Sequence, residues 1–255
     1  MGSIGKVVKL VVLTALVFVA TVLLQIYTPA TRGYFNLGET AIYAIAAITP
    51  PLETAIAAGV GSAIADLVTG YPYFAPGTLV IKFCEGFVVS YLVLYLRRRP
   101  YSLAKVLSVI TSLIVGAVIT ILGIFKLSGI AELTSVPISI LGFKATLISV
   151  RIYLSPILWC IVGAVITIVL LYAVLVKGKE NITLAVSMLI GGMIMVAGYF
   201  LYEYFFTNPI VNRVPPMQAI FEVPVNFGQA LVGLSVALPI ASFISKATGG
   251  KLSSE

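Results

Sequence analysis

Histidine is missing from all 255 residues, and aspartate occurs once, at Asp66. The commonest general base and transition-metal ligand is therefore absent, and neither a catalytic nor a metal-ligating set can be assembled around it. Cysteine is scarce as well. Cys84 and Cys160 both fall inside apolar runs, where a thiol behaves as a small hydrophobe, and they carry no metal or redox signal. No Gly-x-x-x-x-Gly-Lys-Ser/Thr stretch occurs, so the chain shows no loop for cradling nucleotide phosphates. Charge of either sign is thin: 10% of residues are charged against 60% hydrophobic, with a mean hydropathy of +1.12. Soluble domains carry about 25% charged residues, so the composition excludes that class and makes the bilayer the solvent.

What the chain does have is long apolar segments, at about 7–27, 37–49, 51–69, 76–96, 102–125, 152–176, 182–206 and 216–245. About 20 apolar residues suffice to cross roughly 30 Å of hydrocarbon as a helix. The first segment is basic in front and apolar behind, yet it is longer than a signal-peptide core and has no clean small-residue cleavage site, so it reads as helix 1. The second is short because Pro50 and Pro51 end it, and it could merge with the third as one kinked helix. Basic residues decide between the two arrangements. With eight separate passes, Lys6, Lys9, Arg97, Arg98, Arg99, Lys105, Lys177, Lys179, Lys246 and Lys251 share one side. Arg32, Lys126, Lys144, Arg151 and Arg213 face the other. Merging two passes would put the triple-arginine run opposite Lys6 and Lys9. The positive-inside rule therefore selects an all-α bundle of about eight helices, 1–255 being a single membrane domain with both termini cytoplasmic. The connection from Lys126 to Arg151, with Gly129, Pro137 and Gly142 among apolar residues, is expected as an outer loop.

Ionisable residues inside such segments are costly and are functional-site hypotheses by default. Here they are Glu39, Asp66, Lys82, Glu85, Glu203 and Glu222. At 1.5 Å per residue Lys82 lies roughly 9 Å, and Glu85 roughly 13 Å, below the outward start at Pro76. Asn226 and Gln229 continue one turn below Glu222. The cytoplasmic halves hold almost only aliphatic and hydroxyl residues, so the polar groups form a cup that opens outward. Lys82 and Glu85, three apart on one helix face, also fit a purely structural ion pair. The loop Gly70-Tyr71-Pro72-Tyr73-Phe74-Ala75-Pro76 sets three aromatic rings above the cup, either to stack on a flat heterocycle or as an interfacial belt. Small residues recur every four positions at Gly233, Ala237, Ala241 and Ser245, and at Ala57, Gly61 and Ala65, stripes that allow helices to approach closely.

The ordered blocks Gly33-Tyr34-Phe35-Asn36-Leu37-Gly38-Glu39, Gly59 to Leu67, Gly70 to Pro76, Val80 to Gly86, Gly198 to Phe205 and Glu222 to Gln229 carry a family resemblance. The chain resembles the substrate-binding S component of energy-coupling-factor vitamin transporters, closest to the riboflavin-type branch. The resemblance implies a subunit that binds a vitamin or precursor from outside the cell membrane. It also implies association with a transmembrane coupling protein and two cytoplasmic ATPases, and toppling within the bilayer to release the ligand inward. No cofactor, nucleic-acid partner or enzymatic activity is implied. Substrate contacts are expected from Asn36, Glu39, Tyr71, Tyr73, Phe74, Lys82, Glu85, Tyr199, Glu203, Glu222, Asn226 and Gln229, with no catalytic or metal set. Two features depart from the family pattern. Residues 102–176 read as an inserted helical hairpin within a six-helix core, and Ala15 is followed by Val19 where many members have alanines four apart. A stand-alone proton-coupled carrier, a membrane enzyme and a structural scaffold are the rival readings.

Overall fold

A computed structural model describes residues 3–28, 32–133, 137–140, 143–146, 150–176 and 178–247. Lys177, Lys251 and Gly142 lie outside the described residues. Eight α-helices follow one another: α1 (Ser3–Leu23), α2 (Gly38–Ala46), α3 (Pro51–Thr69), α4 (Ala75–Arg97), α5 (Tyr101–Leu122), α6 (Pro156–Val176), α7 (Lys179–Tyr202) and α8 (Val223–Ala247). Among the described residues six of them, with their extensions, are long and apolar enough to cross a membrane; α2 and the described part of α6 are the shorter ones. The bundle is thus a multi-pass, helical membrane protein.

Helix ends differ from the expected segments in three places. The first helix stops at Leu23, and Leu24–Thr28 form strand β1, paired antiparallel with β2 (Gly33–Asn36) from Gln25 opposite Asn36 to Thr28 opposite Gly33. The expected apolar segment runs on through Tyr27, but Ile26, Tyr27, Thr28, Tyr34 and Phe35 are strand formers that gain a ladder once paired. Second, the connection expected as a loop contains β3 (Gly129–Leu133), β4 (Pro137–Ile140), β5 (Phe143–Thr146) and β6 (Val150–Leu154). They build a four-stranded sheet in the order β2-β1-β4-β5 and a separate β3-β6 pair. Third, α5 and α7 continue as π-helical turns over Gly123–Leu127 and Glu203–Asn212, the latter taking in Pro209, and a 3-10 turn at Pro216–Phe221 precedes α8. A wider turn accommodates a proline that has no N–H to donate.

The two ends of the bundle are chemically distinct. At one, Lys9 pairs with Glu53 at 2.8 Å, joining α1 to the start of α3. At the same end Arg97 closes α4 by pairing with Glu180 of α7 at 2.5 Å, and it donates to the Ala47 carbonyl after α2 and to Ser245 Oγ of α8. The backbone therefore alternates as the eight-segment arrangement requires, with the basic cluster Arg97–Arg99 on the face that holds Lys9. The small-residue stripes face inward. Ala237 and Ala241 are buried where α8 meets α2 and α7, and Ala57 and Ala65 are buried in α3, which packs on α1 and α4.

Helices also approach closely where α8 crosses α2. A Cβ on Gly233 would lie 3.2 Å from the Glu39 carbonyl carbon and 3.3 Å from the Thr40 nitrogen, both backbone atoms. Gly233→Leu is expected to destabilise by about 1–3 kcal/mol through overpacking and to lower the unfolding midpoint in detergent. Gly178→Leu, at a position with open space around it, should leave the midpoint nearly unchanged. Equal melting of the two variants would contradict this packing.

Candidate functional site

Strand β2 carries the chain into the bundle from the end opposite Arg97, so that α2 opens at the level of the Lys82 ammonium. Three contacts fix that descent. Tyr34 OH donates to Asp66 Oδ1 of α3 at 2.5 Å, the Asn36 N–H donates to Gln229 Oε1 of α8 at 2.8 Å, and Asn36 Oδ1 accepts from the Gly38 N–H at 2.8 Å. Glu39 then falls in the first turn of α2, where a carboxylate is favoured by the helix dipole. It forms an ion pair with Lys82 of α4.

Lys82 is shared. Its ammonium also pairs with Glu85 Oε2 at 3.1 Å, and Glu85 Oε1 accepts from Tyr43 OH of α2 at 2.9 Å. All four side chains are 2% exposed or less. Burying an ammonium without opposite charge is prohibitive, and two carboxylates with a phenol donor supply the compensation. The Lys82 nitrogen lies 5.5 Å from the Tyr199 ring centre, and Tyr199 OH donates to Thr78 Oγ1 at 3.0 Å.

Above this floor is a cavity lined by residues from α1, β2, α3, α4, α7 and α8. Its walls include Thr21, Asn36, Ser62, Asp66, Phe74, Thr78, Lys82, Tyr199, Glu203, Glu222, Asn226 and Gln229, with Gly33 and Tyr34 at the side. The free space between the walls, mouth included, is about 420 Å³, but the part wide enough for water is only about 30 Å³. Such a volume takes roughly one or two waters, whereas ligand pockets usually run to about 300–1,000 Å³. The cavity is closed in this conformation.

What closes it is the aromatic loop. Tyr71 lies on Tyr34 with ring centres 4.5 Å apart, Tyr73 OH donates to the Arg32 carbonyl at 3.2 Å, and Tyr202 OH donates to the Tyr73 carbonyl at 2.7 Å. Burial, then the neighbouring Asp66 carboxylate, pushes the Tyr34 phenol well above its ordinary range, and burial pushes Tyr71 up to about 12. Both phenols therefore stay neutral donors over the physiological range.

Of the residues expected to contact a solute, Asn36, Phe74, Lys82, Tyr199, Glu203, Glu222, Asn226 and Gln229 line one cavity. Glu39 and Glu85 do not reach its wall; they stand behind Lys82 as its counter-ions. Tyr71 and Tyr73 lie over the mouth. The expected contact set omitted Thr21, Gly33, Tyr34, Ser62, Asp66 and Thr78. Asp66 could have been included, because a sole aspartate in an apolar helix meets the same criterion as Glu39. Thr21, Ser62 and Thr78 carry no such signal, since hydroxyls recur throughout these helices. Among the described residues no group of acids, thiols or imidazoles is arranged to hold a metal ion.

Comparison with known proteins gives two matches. The family model described as ECF-type riboflavin transporter, S component, matches residues 1–177. That stretch runs through 102–176 and stops before α7, α8 and the turns between them, which supply Tyr199, Glu203, Glu222, Asn226 and Gln229. An uncharacterized protein in gap 3'region of Pyrococcus woesei is 47% identical over 75 residues, covering 29% of this chain and 50% of that protein. The chain thus spans about half the length of the curated relative it matches.

The ion network makes a prediction of its own. Lys82→Met leaves Glu39 and Glu85 buried without their cation and should cost about 3–5 kcal/mol, whereas neutralising all three as Lys82→Met with Glu39→Gln and Glu85→Gln should recover most of the loss. Thermal melts of the purified variants decide it: a triple variant no more stable than Lys82→Met would show that the charges do not act as one unit.

Proposed function

Because the chain belongs to the S-component family of ECF-type riboflavin transporters, we propose that it is the substrate-specificity subunit of an ATP-driven importer for a small heterocyclic vitamin or precursor. A riboflavin-like ligand is the first to test. The single observation that carries this reading is the closed polar cavity, walled by side chains from six elements and opening toward the end opposite the basic cluster. By the positive-inside rule that basic end is cytoplasmic, so the cavity faces outside the cell membrane and both termini face the cytoplasm.

In this reading a flat solute enters when the Tyr71 to Phe74 loop and β2 part from each other. It rests between the rings of Phe74 and Tyr199 and takes hydrogen bonds from Asn36, Asn226, Gln229 and Lys82. Glu39 and Glu85 contribute by holding Lys82 in place. Energy comes from partners, a transmembrane coupling protein and two cytoplasmic ATPases, as S components have by family. The surface for the coupling protein includes α1, whose apolar side is bare: Val7, Val8, Val11 and Val12 are all more than half exposed. Hairpin α5–α6 is read as an addition to a six-helix core, a reading supported by the packing of α5 chiefly on α6 and α7 and by a cavity whose described lining residues include none from α5 or α6. The chain needs no cofactor and catalyses no reaction in this reading.

The buried Lys82, Glu39 and Glu85 set also suits a stand-alone proton-coupled carrier. Uptake into vesicles separates the two readings: import should require the coupling module and ATP, and a pH gradient acting on the purified chain alone should drive nothing. Asn226→Ala is expected to weaken riboflavin binding by about 1–3 kcal/mol, the value of a lost buried hydrogen bond, with the fold retained. Calorimetric titration of wild type and variant checks this, and unchanged affinity would remove the cavity from the transport path.

A further inference from the structure

The charge around the cavity is lopsided. Asp66, Glu203 and Glu222 line it, and the one cation in its wall among the described residues, Lys82, is already held by Glu39 and Glu85. Three buried acids therefore line the cavity in addition to the two that pair with its ammonium. Two of the three lining acids also keep an oxygen idle. Asp66 Oδ2 and Glu203 Oε2 have no hydrogen-bond partner among the described residues, although Asp66 is 3% and Glu203 1% exposed. Ser62 Oγ, in the same wall, is likewise unpartnered. Acceptors buried this deeply cost free energy unless something donates to them.

The remaining walls supply the second half of a cation site. Tyr34, Phe74 and Tyr199 line the same space, and aromatic rings attract positive charge to their faces, most strongly where water is excluded. Acidic groups set among aromatic rings form a site for an organic cation and a poor one for an anion. Glu203 and Glu222 lie beyond residues 1–177, the stretch that the family model matches.

We propose that the cavity selects a solute bearing a permanently charged or protonated nitrogen, which docks against Glu203 and Asp66 with its ring among Tyr34, Phe74 and Tyr199. This rests on the reading of the cavity as the substrate site and narrows the substrate to a cationic heterocycle or heterocyclic amine.

The test is calorimetric titration of the purified full chain with three vitamins of different charge: thiamine as the permanent cation, riboflavin as the neutral flavin and pantothenate as the anion. Thiamine should bind at least about tenfold more tightly than the other two, a gap of about 1.4 kcal/mol. Glu203→Gln, which keeps shape and removes charge, should weaken thiamine by about tenfold or more and change riboflavin by less than about threefold. Asp66→Asn provides the same comparison if Glu203→Gln does not fold. Riboflavin or pantothenate binding best, with Glu203→Gln and Asp66→Asn without effect on the ranking, overturns the cation assignment and leaves the cavity as the substrate site. Binding of none of the three overturns the assignment together with the functional reading beneath it.

Discussion

An ammonium carried into the middle of a helical membrane bundle must be met by opposite charge, and in this chain the meeting organises the whole fold. Lys82 projects from α4, and its counter-ions come from two places, Glu85 on its own helix and Glu39 at the head of α2. Desolvation of such a set is costly, and its attraction compensates only if the geometry is held tightly. That requirement accounts for features that look unrelated. Strand β2 descends into the bundle so that Glu39 arrives at the depth of Lys82. Tyr43, one turn further along α2, donates to the Glu85 oxygen that faces away from Lys82. Gly233 lacks a side chain because α8 must pass against the backbone at Glu39. A second set of charges, Arg97 with Glu180, ties α4 to α7 at the opposite end, and the Arg97 bonds to Ala47 and Ser245 bring in α2 and α8. Between the two lies an apolar core that includes Ile42, Val89, Leu184 and Met188.

Much of this was legible in the sequence, and the boundary of legibility has a physical basis. Hydropathy located the helices because a span must be apolar for about 20 residues, whatever it packs against. The distribution of lysine and arginine placed Lys9 and Arg97 at one end of the bundle, and their ion pairs agree with that grouping. Strands were harder to read than helices because they are short: Leu24 to Thr28 has five residues that run straight on from an apolar helix, and the alternation in Phe143–Thr146 and Val150–Leu154 extends over only four or five residues, so pairing partners rather than periodicity define these strands. In the site, depth along each helix was readable and direction was not. Glu85 and Lys82 are at neighbouring depths, yet one turns toward the cavity and the other behind it, and the choice is made by where Tyr43 and Glu39 stand on a different helix. The resemblance to S components rested on motifs at both ends of the chain, whereas the family match covers 1–177 and includes the hairpin that those motifs bracketed.

The cavity is stiff at its floor and weakly held at its mouth, and this asymmetry gives the molecule a direction. Beneath Lys82 every opening would break buried ion pairs, each worth several kcal/mol when one partner is lost. At the outer end closure depends on neutral contacts: Tyr202 to the Tyr73 carbonyl, Tyr73 to the Arg32 carbonyl, and the Tyr34–Tyr71 ring pair. Neutral hydrogen bonds of this kind contribute about 0.5–1.5 kcal/mol apiece, and an aromatic pair a similar amount. Thermal opening of the mouth is therefore accessible and thermal opening of the floor is not. The mouth is thus the end at which the cavity can open without separating buried charges, and the floor is not. The internal charge balance that makes the floor rigid leaves any change of the cavity's shape to the neutral contacts above it.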